Sequence, residues 1–150
     1  MGSSMLPPAP IDVHDDAVAI VSFAVVSWLI VLCVHDLRTH VLPNRLTLPA
    51  GFAAIAMGVG DMHVGCSIVV LAAPYLVAAT LGACGGGDLK LAVALGGVVA
   101  DPALALLVVA VAALVTLAAI ALRGHPPPGA GVAHGPALAV AAVAMGGVWV

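Results

Sequence analysis

All seven carboxylate side chains in this sequence belong to aspartates, and two of them sit where a carboxylate is unexpected. Asp36 stands one residue after the apolar run Val31-Leu-Cys-Val34, with His35 between. Asp88 stands between Gly85-Gly-Gly87 and the apolar run that starts at Leu91. An acidic residue in a membrane segment costs about 2.5–3.5 kcal/mol at the centre and less toward the ends, so its presence asks for a function. Two carboxyl groups that share a site cannot both ionise easily, so the pair retains a proton. The ionised member takes a proton from water while the protonated member hydrogen-bonds a carbonyl. That is general acid–base hydrolysis of a peptide bond, with neither metal nor covalent intermediate. The competing reading is structural: two helix-end aspartates paired with Arg38 and Lys90, the nearby cations.

Composition says what kind of scaffold must hold these groups. The chain has 150 residues, 63% of them apolar, 7% charged and 3% aromatic, with a net charge of −3. Mean hydropathy is +1.25. A soluble domain carries about a quarter charged residues, so this composition cannot build a water-facing surface. An integral membrane protein remains. The absence of Glu removes the His-Glu-x-x-His zinc proteases. The serines form no nucleophile turn, and four basic residues exclude nucleic-acid binding. Cys33, Cys66 and Cys84 form no Cys-x-x-Cys pair, so neither a disulfide framework nor a zinc knuckle is expected, and they read as small apolar helix residues.

The hydropathy pattern predicts an all-α polytopic membrane protein of six spans, near 17–34, 46–59, 66–83, 88–100, 102–122 and 135–150. Residues 1–16 read as a disordered tail and 17–150 as a single membrane domain. The second, fourth and sixth segments are short for a span and would extend into turns or be shielded by other helices. Pro49 falls in the first turn of the second segment, where proline is tolerated, and Pro74 marks a kink in the third. If the spans alternate, Arg38, Arg45, Lys90 and Arg123 share one side, and the remaining aspartates face the other. Basic residues stay cytoplasmic, so the N-terminus is expected outside, with Asp36 and Asp88 at the cytoplasmic ends of the first and fourth helices. Three consecutive glycines weaken a helix, so Gly85–Gly87 is expected to form a flexible or tightly approached turn. Gly96 and Gly97 suit close helix packing.

The local sequences around both aspartates are specific. Asp36-Leu-Arg38-Thr-His-Val-Leu42-Pro43-Asn44 resembles the first signature of the type IV prepilin peptidase family, an Asp with a basic residue two on and then an aliphatic-Pro-Asn element. Gly85-Gly-Gly87-Asp88-Leu-Lys90-Leu91 is similar to the second signature, Gly-x-Gly-Asp-x-Lys-aliphatic, at every fixed position. His134-Gly135-Pro136 is similar to the third element, a Gly-Pro opening the last helix, although the family usually has Phe where this chain has His134. The resemblance implies an aspartic endopeptidase with Asp36 and Asp88 as catalytic residues. It implies cleavage of the leader from prepilin or pseudopilin precursors, at the cytoplasmic face of the bacterial inner membrane. The paired Cys-x-x-Cys region that many members use for N-methylation is missing, so the chain resembles the short, peptidase-only form found with Flp-type pili. Neither cofactor nor zinc is implied.

The neighbouring residues take supporting roles in this reading. Pro43 and Asn44 shape the loop after Asp36. Lys90 either tunes Asp88 or reaches for lipid headgroups, and Arg38 and Arg45 determine topology. His35, His40, His125 and His134 share the cytoplasmic side without any metal-ligand spacing. His125-Pro-Pro-Pro128 reads as a stiff loop and Trp149 as an interfacial residue. The alternative to a peptidase is a small transporter or channel in which Asp36 and Asp88 bind a cation or carry protons, although such sites usually lie at the midplane.

Overall fold

A computed structural model describes residues 13–123 and 134–145. The N-terminal residues through 12, the His125–Pro128 loop and the residues beyond Met145, with Trp149, lie outside the described residues. Within them the chain is all helix: α1 (Val13–Thr39), α2 (Asn44–Gly60), α3 (Met62–Thr80), α4 (Gly86–Val99), α5 (Pro102–Arg123) and α6 (Gly135–Ala144).

Helix ends depart from hydropathy ends for local reasons. The described part of α1 opens at Val13, and residues 13–16 belong to the helix. At its other end α1 runs on through Asp36 to Thr39. The polar residues after Val34 end the apolar run but not the hydrogen-bond ladder: His40 N–H still reaches the Asp36 carbonyl at 2.8 Å. His40 then turns left-handed at φ 52, and the chain reaches Pro43 extended. α2 begins at Asn44, which puts Pro49 in the helix interior rather than in its first turn. Asp61 caps α3, its Oδ1 accepting from the N–H groups of His63 (2.8 Å) and Val64 (3.4 Å). Asp101 does the same for α5 through Leu104 N–H at 2.8 Å. These two aspartates are therefore capping residues.

The glycine run is also placed differently from the expectation. Gly85 is the N-cap of α4, and Gly86 and Gly87 are its first helical residues. The left-handed turn residue is Gly82, at φ 70. A helix tolerates glycine in its first turn when the turn is held from outside, and Gly87 packs directly on Leu42.

α4 is the central element, with contacts to α2, α3, α5 and α6. Its 14 residues are short for a span, and most of its length is buried by neighbours. Two glycines permit this packing. A Cβ on Gly96 would lie 2.5 Å from Ile68 Cα of α3, and one on Gly97 would run into Ala54 of α2. The core is leucine and alanine, centred on Leu32, Leu71, Leu91, Leu95 and Leu138.

The surface is the reverse of a soluble protein's. Phe23, Val59 and Leu122 are exposed, whereas Asp36, Thr47, Ser67, Asp88 and Thr116 are inside. An apolar exterior around a partly polar interior is stable only in hydrocarbon. Among the described residues, three helices are long and apolar enough to cross a bilayer: Asp16–Thr39, Met62–Thr80 and Pro102–Leu122.

Candidate active site

Helix alternation gathers the C-terminal ends of α1 and α3 and the N-terminal ends of α2, α4 and α6 at one end of the bundle. Asp36 occupies the final turns of α1 and is only 4% exposed. Asp88 lies in the first turn of α4 and is 9% exposed. Both line one cavity of about 630 Å³, together with His40, Leu42, Asn44, Cys84 and Lys90. The two carboxyl groups are near enough for their charges to interact.

Helix N-termini carry partial positive charge and suit anionic groups. Asp88 has that of its own helix, its backbone N–H bonded to the Gly85 carbonyl at 3.1 Å. Asp36 faces that of α6. A Cβ added to Gly135 would come within 2.7 Å of Asp36 Oδ2, so only glycine leaves the carboxyl its place. Pro136 sits in the first turn of α6, where its missing N–H costs nothing. Asp36 Oδ2 is buried without a hydrogen-bond partner among the described residues, although the Gly135 backbone N–H reaches the carboxyl group. A buried, unpaired carboxylate oxygen is rare in a finished core and is suited to receiving a water or a substrate proton.

The three motif segments meet here. Leu42 packs on the bare backbone of Gly87, 2.9 Å from where its Cβ would be. Lys90 Nζ donates to Asn44 Oδ1 at 2.6 Å. Lys90 thus clamps the second motif to the first, a contact that sequence did not announce. Pro43 caps α2, and its carbonyl accepts from Leu46 and Thr47 N–H at 3.0 and 3.2 Å. Arg38 is exposed on α1, and Arg45 lines a different cavity, so neither is brought to the carboxyl groups.

Cys84 and Thr116 also belong to this end of the molecule and escaped sequence reasoning, as did the bond that His134 makes. Cys84 lies in the turn before α4 rather than in a helix, and its Sγ donates to the Tyr75 carbonyl at 3.4 Å. Burial, and then the charge of Asp88, push its thiol up from the ordinary value. Thr116, buried in α5, donates its hydroxyl to the Ala112 carbonyl at 2.9 Å. Its oxygen also lies 3.2 Å from His134 Nδ1. When the single hydroxyl proton goes to Ala112, Nδ1–H is the donor in that second bond, and the ring tautomer decides between the two arrangements. The pair fixes the N-cap of α6 and, through it, Gly135 against Asp36. Adjacency to Asp88 and to the Gly-Pro element was the available signal for Cys84 and His134; nothing in the sequence singles out Thr116.

Residues 23–122 match the type IV leader peptidase family. Neither a curated protein nor a solved structure matches the chain.

Proposed function

The chain belongs to the type IV leader peptidase family, and on that premise we propose that it is an aspartic endopeptidase that removes the leader from prepilin or pseudopilin precursors. The observation that carries this reading is the burial of Asp36 and Asp88 in one cavity at one end of an apolar helical bundle.

In the proposed mechanism the two carboxyl groups share one proton and act as a unit. The ionised carboxylate takes a proton from water, and the resulting hydroxyl attacks the scissile carbonyl carbon. The protonated carboxyl donates to the carbonyl oxygen as the tetrahedral intermediate forms. Collapse breaks the C–N bond, and a carboxyl proton passes to the leaving amine. Gly135 leaves Asp36 room to do this, and the Asn44–Lys90 bond holds the first turn of α4 to the start of α2.

Arg38, Arg45 and Lys90 lie at the same end of the bundle as the carboxyl groups. Basic residues stay on the cytoplasmic side, which supports cleavage at the cytoplasmic face of the bacterial inner membrane, with six spans and the N-terminus outside. Co-expression with a pilin precursor from the same genome tests this reading. The expected result is a shortened precursor on a gel, with the new N-terminus at the leader junction. A precursor that stays whole with the protein present in the membrane overturns the reading.

A further inference from the structure

The helix that carries Asp36 ends in a conformation that its residue types do not favour. His40 N–H completes the ladder on the Asp36 carbonyl at 2.8 Å, and His40 itself adopts φ 52. At a helix end that left-handed conformation is ordinarily taken by glycine, because a Cβ there crowds the following carbonyl oxygen. Thr39 holds the turn in place. Its Oγ1 lies 2.9 Å from the His35 carbonyl and 3.1 Å from that of Val41, one of which takes its proton, and it accepts from Val41 N–H at 3.4 Å. Among the described residues one other non-glycine has positive φ: Ala100, at 53, the C-cap of α4. It stands about 18 Å along the helix from Asp88, at the far end of the bundle from the carboxyl groups.

The turn at His40 places an imidazole. His40 is exposed, and it lines the cavity that holds Asp36 and Asp88. Its ring is near enough to act on the Asp36 charge, more strongly than His134 or His35, neither of which lines the cavity. The other polar side chains of the lining are engaged. Lys90 donates to Asn44 and Cys84 to the Tyr75 carbonyl, and the two aspartates are the reacting groups. The His40 ring makes no hydrogen bond to any of the described residues. A peptide segment held for cleavage brings backbone carbonyls into this cavity. Ionised carboxylates cannot donate to them, whereas a neutral imidazole carries one N–H that can. Strained backbone persists where its surroundings enforce it, and it recurs at ligand clamps. Here the enforced turn sets an unengaged donor at the mouth of the cavity.

We propose that His40 is a substrate-contacting residue, its imidazole N–H donating to a backbone carbonyl of the precursor beside the scissile bond. This proposal rests on the leader-peptidase reading above. The bond forms when the precursor binds and persists through the reaction, so it contributes to binding and leaves the chemistry to the carboxyl pair.

Cleavage kinetics and melting in detergent test it, with purified wild type, His40→Gly, His40→Ala and Ala100→Gly acting on the pilin precursor. Glycine relieves the crowded turn, whereas alanine keeps the crowding and removes the ring. His40→Gly and Ala100→Gly should therefore melt about 2–5 °C later than wild type. Both His40 variants should raise KM at least about fivefold with kcat within about twofold of wild type, as the loss of a bond made equally in ground and transition states does. Ala100→Gly should leave both constants unchanged. An unchanged KM in His40→Ala overturns the proposal, because any loss in His40→Gly then comes from a loosened backbone and not from the missing ring. A fall in kcat at constant KM also overturns it, since His40 would then act through Asp36 and not on the substrate. A His40→Gly chain that does not melt later contradicts the strain on which the proposal stands. Each of these outcomes leaves the peptidase reading standing, and a wild-type chain that cuts no precursor overturns both.

Discussion

Asp36 shows most directly how one side chain's surroundings decide its use. It is buried, one of its oxygens has no partner among the described residues, and the backbone of Gly135 stands where another residue's Cβ would collide with it. In Gly135→Ala the carboxyl group is the part that must move. The expected loss is therefore in cleavage, on the order of a hundredfold for a misplacement near 1 Å, with a small change in melting temperature. A variant that melts much earlier yet cleaves normally once folded contradicts this. Cys84 provides a second check at the same scale. Burial and Asp88 disfavour its thiolate, so maleimide labelling in a Cys33→Ala, Cys66→Ala background should be slow near neutrality and quicken as pH rises. In Asp88→Asn one source of that disfavour is gone, and the labelling curve should move to lower pH. A curve that stays where it was places the two groups too far apart to interact. At this scale the sequence was informative about the aspartates because charge in an apolar context is conspicuous. It was silent on Thr116, because a lone threonine in a helix looks the same whether its hydroxyl bonds its own helix or also holds His134.

At the scale of elements, the pattern of apolar runs located the six described helices, and that of α5 to within a residue, but misjudged other ends. Hydropathy reports where a bilayer would end, while α1 continues through Asp36 to Thr39 because nothing there breaks the ladder before His40. The start of α3 is set by the Asp61 cap, ahead of the apolar run from Cys66, whereas α5 opens behind Asp101 at Pro102 as expected. Glycine roles depended on what stands opposite. Gly96 and Gly97 could be recognised as packing positions, but that Gly87 receives Leu42 depends on a contact between segments far apart in the chain. Gly96→Ala should force α3 and α4 apart, because the obstruction is the Ile68 backbone and not a side chain that can swing away. Overpacking of this kind costs about 1–3 kcal/mol, readable as an earlier thermal transition in detergent. An unchanged transition contradicts the α3–α4 contact. Gly86, with open space around it, should accept alanine without loss.

At the scale of the whole molecule, the arrangement is a short central helix, α4, wrapped by its neighbours, with three motif segments converging at one end of an apolar bundle. Composition alone announced a membrane protein. The order of the motifs along alternating helices announced that they would share an end, and the Leu42–Gly87, Asn44–Lys90 and Asp36–Gly135 contacts are how they do so. The separate cavity that Arg45 lines was not legible, because it arises from α1 standing away from α2 and α4, a matter of packing with no local signature. The central claim is that Asp36 and Asp88 work as one catalytic unit. Its most direct test is the rate of precursor cleavage by Asp36→Asn, Asp88→Asn and the double variant, each at equal abundance in the membrane. If the pair is the catalyst, each single variant falls by at least about a thousandfold and the double variant falls no further, as residues that act together behave. Cleavage by either single variant within about tenfold of wild type, a loss too small for an acid–base group, contradicts the claim.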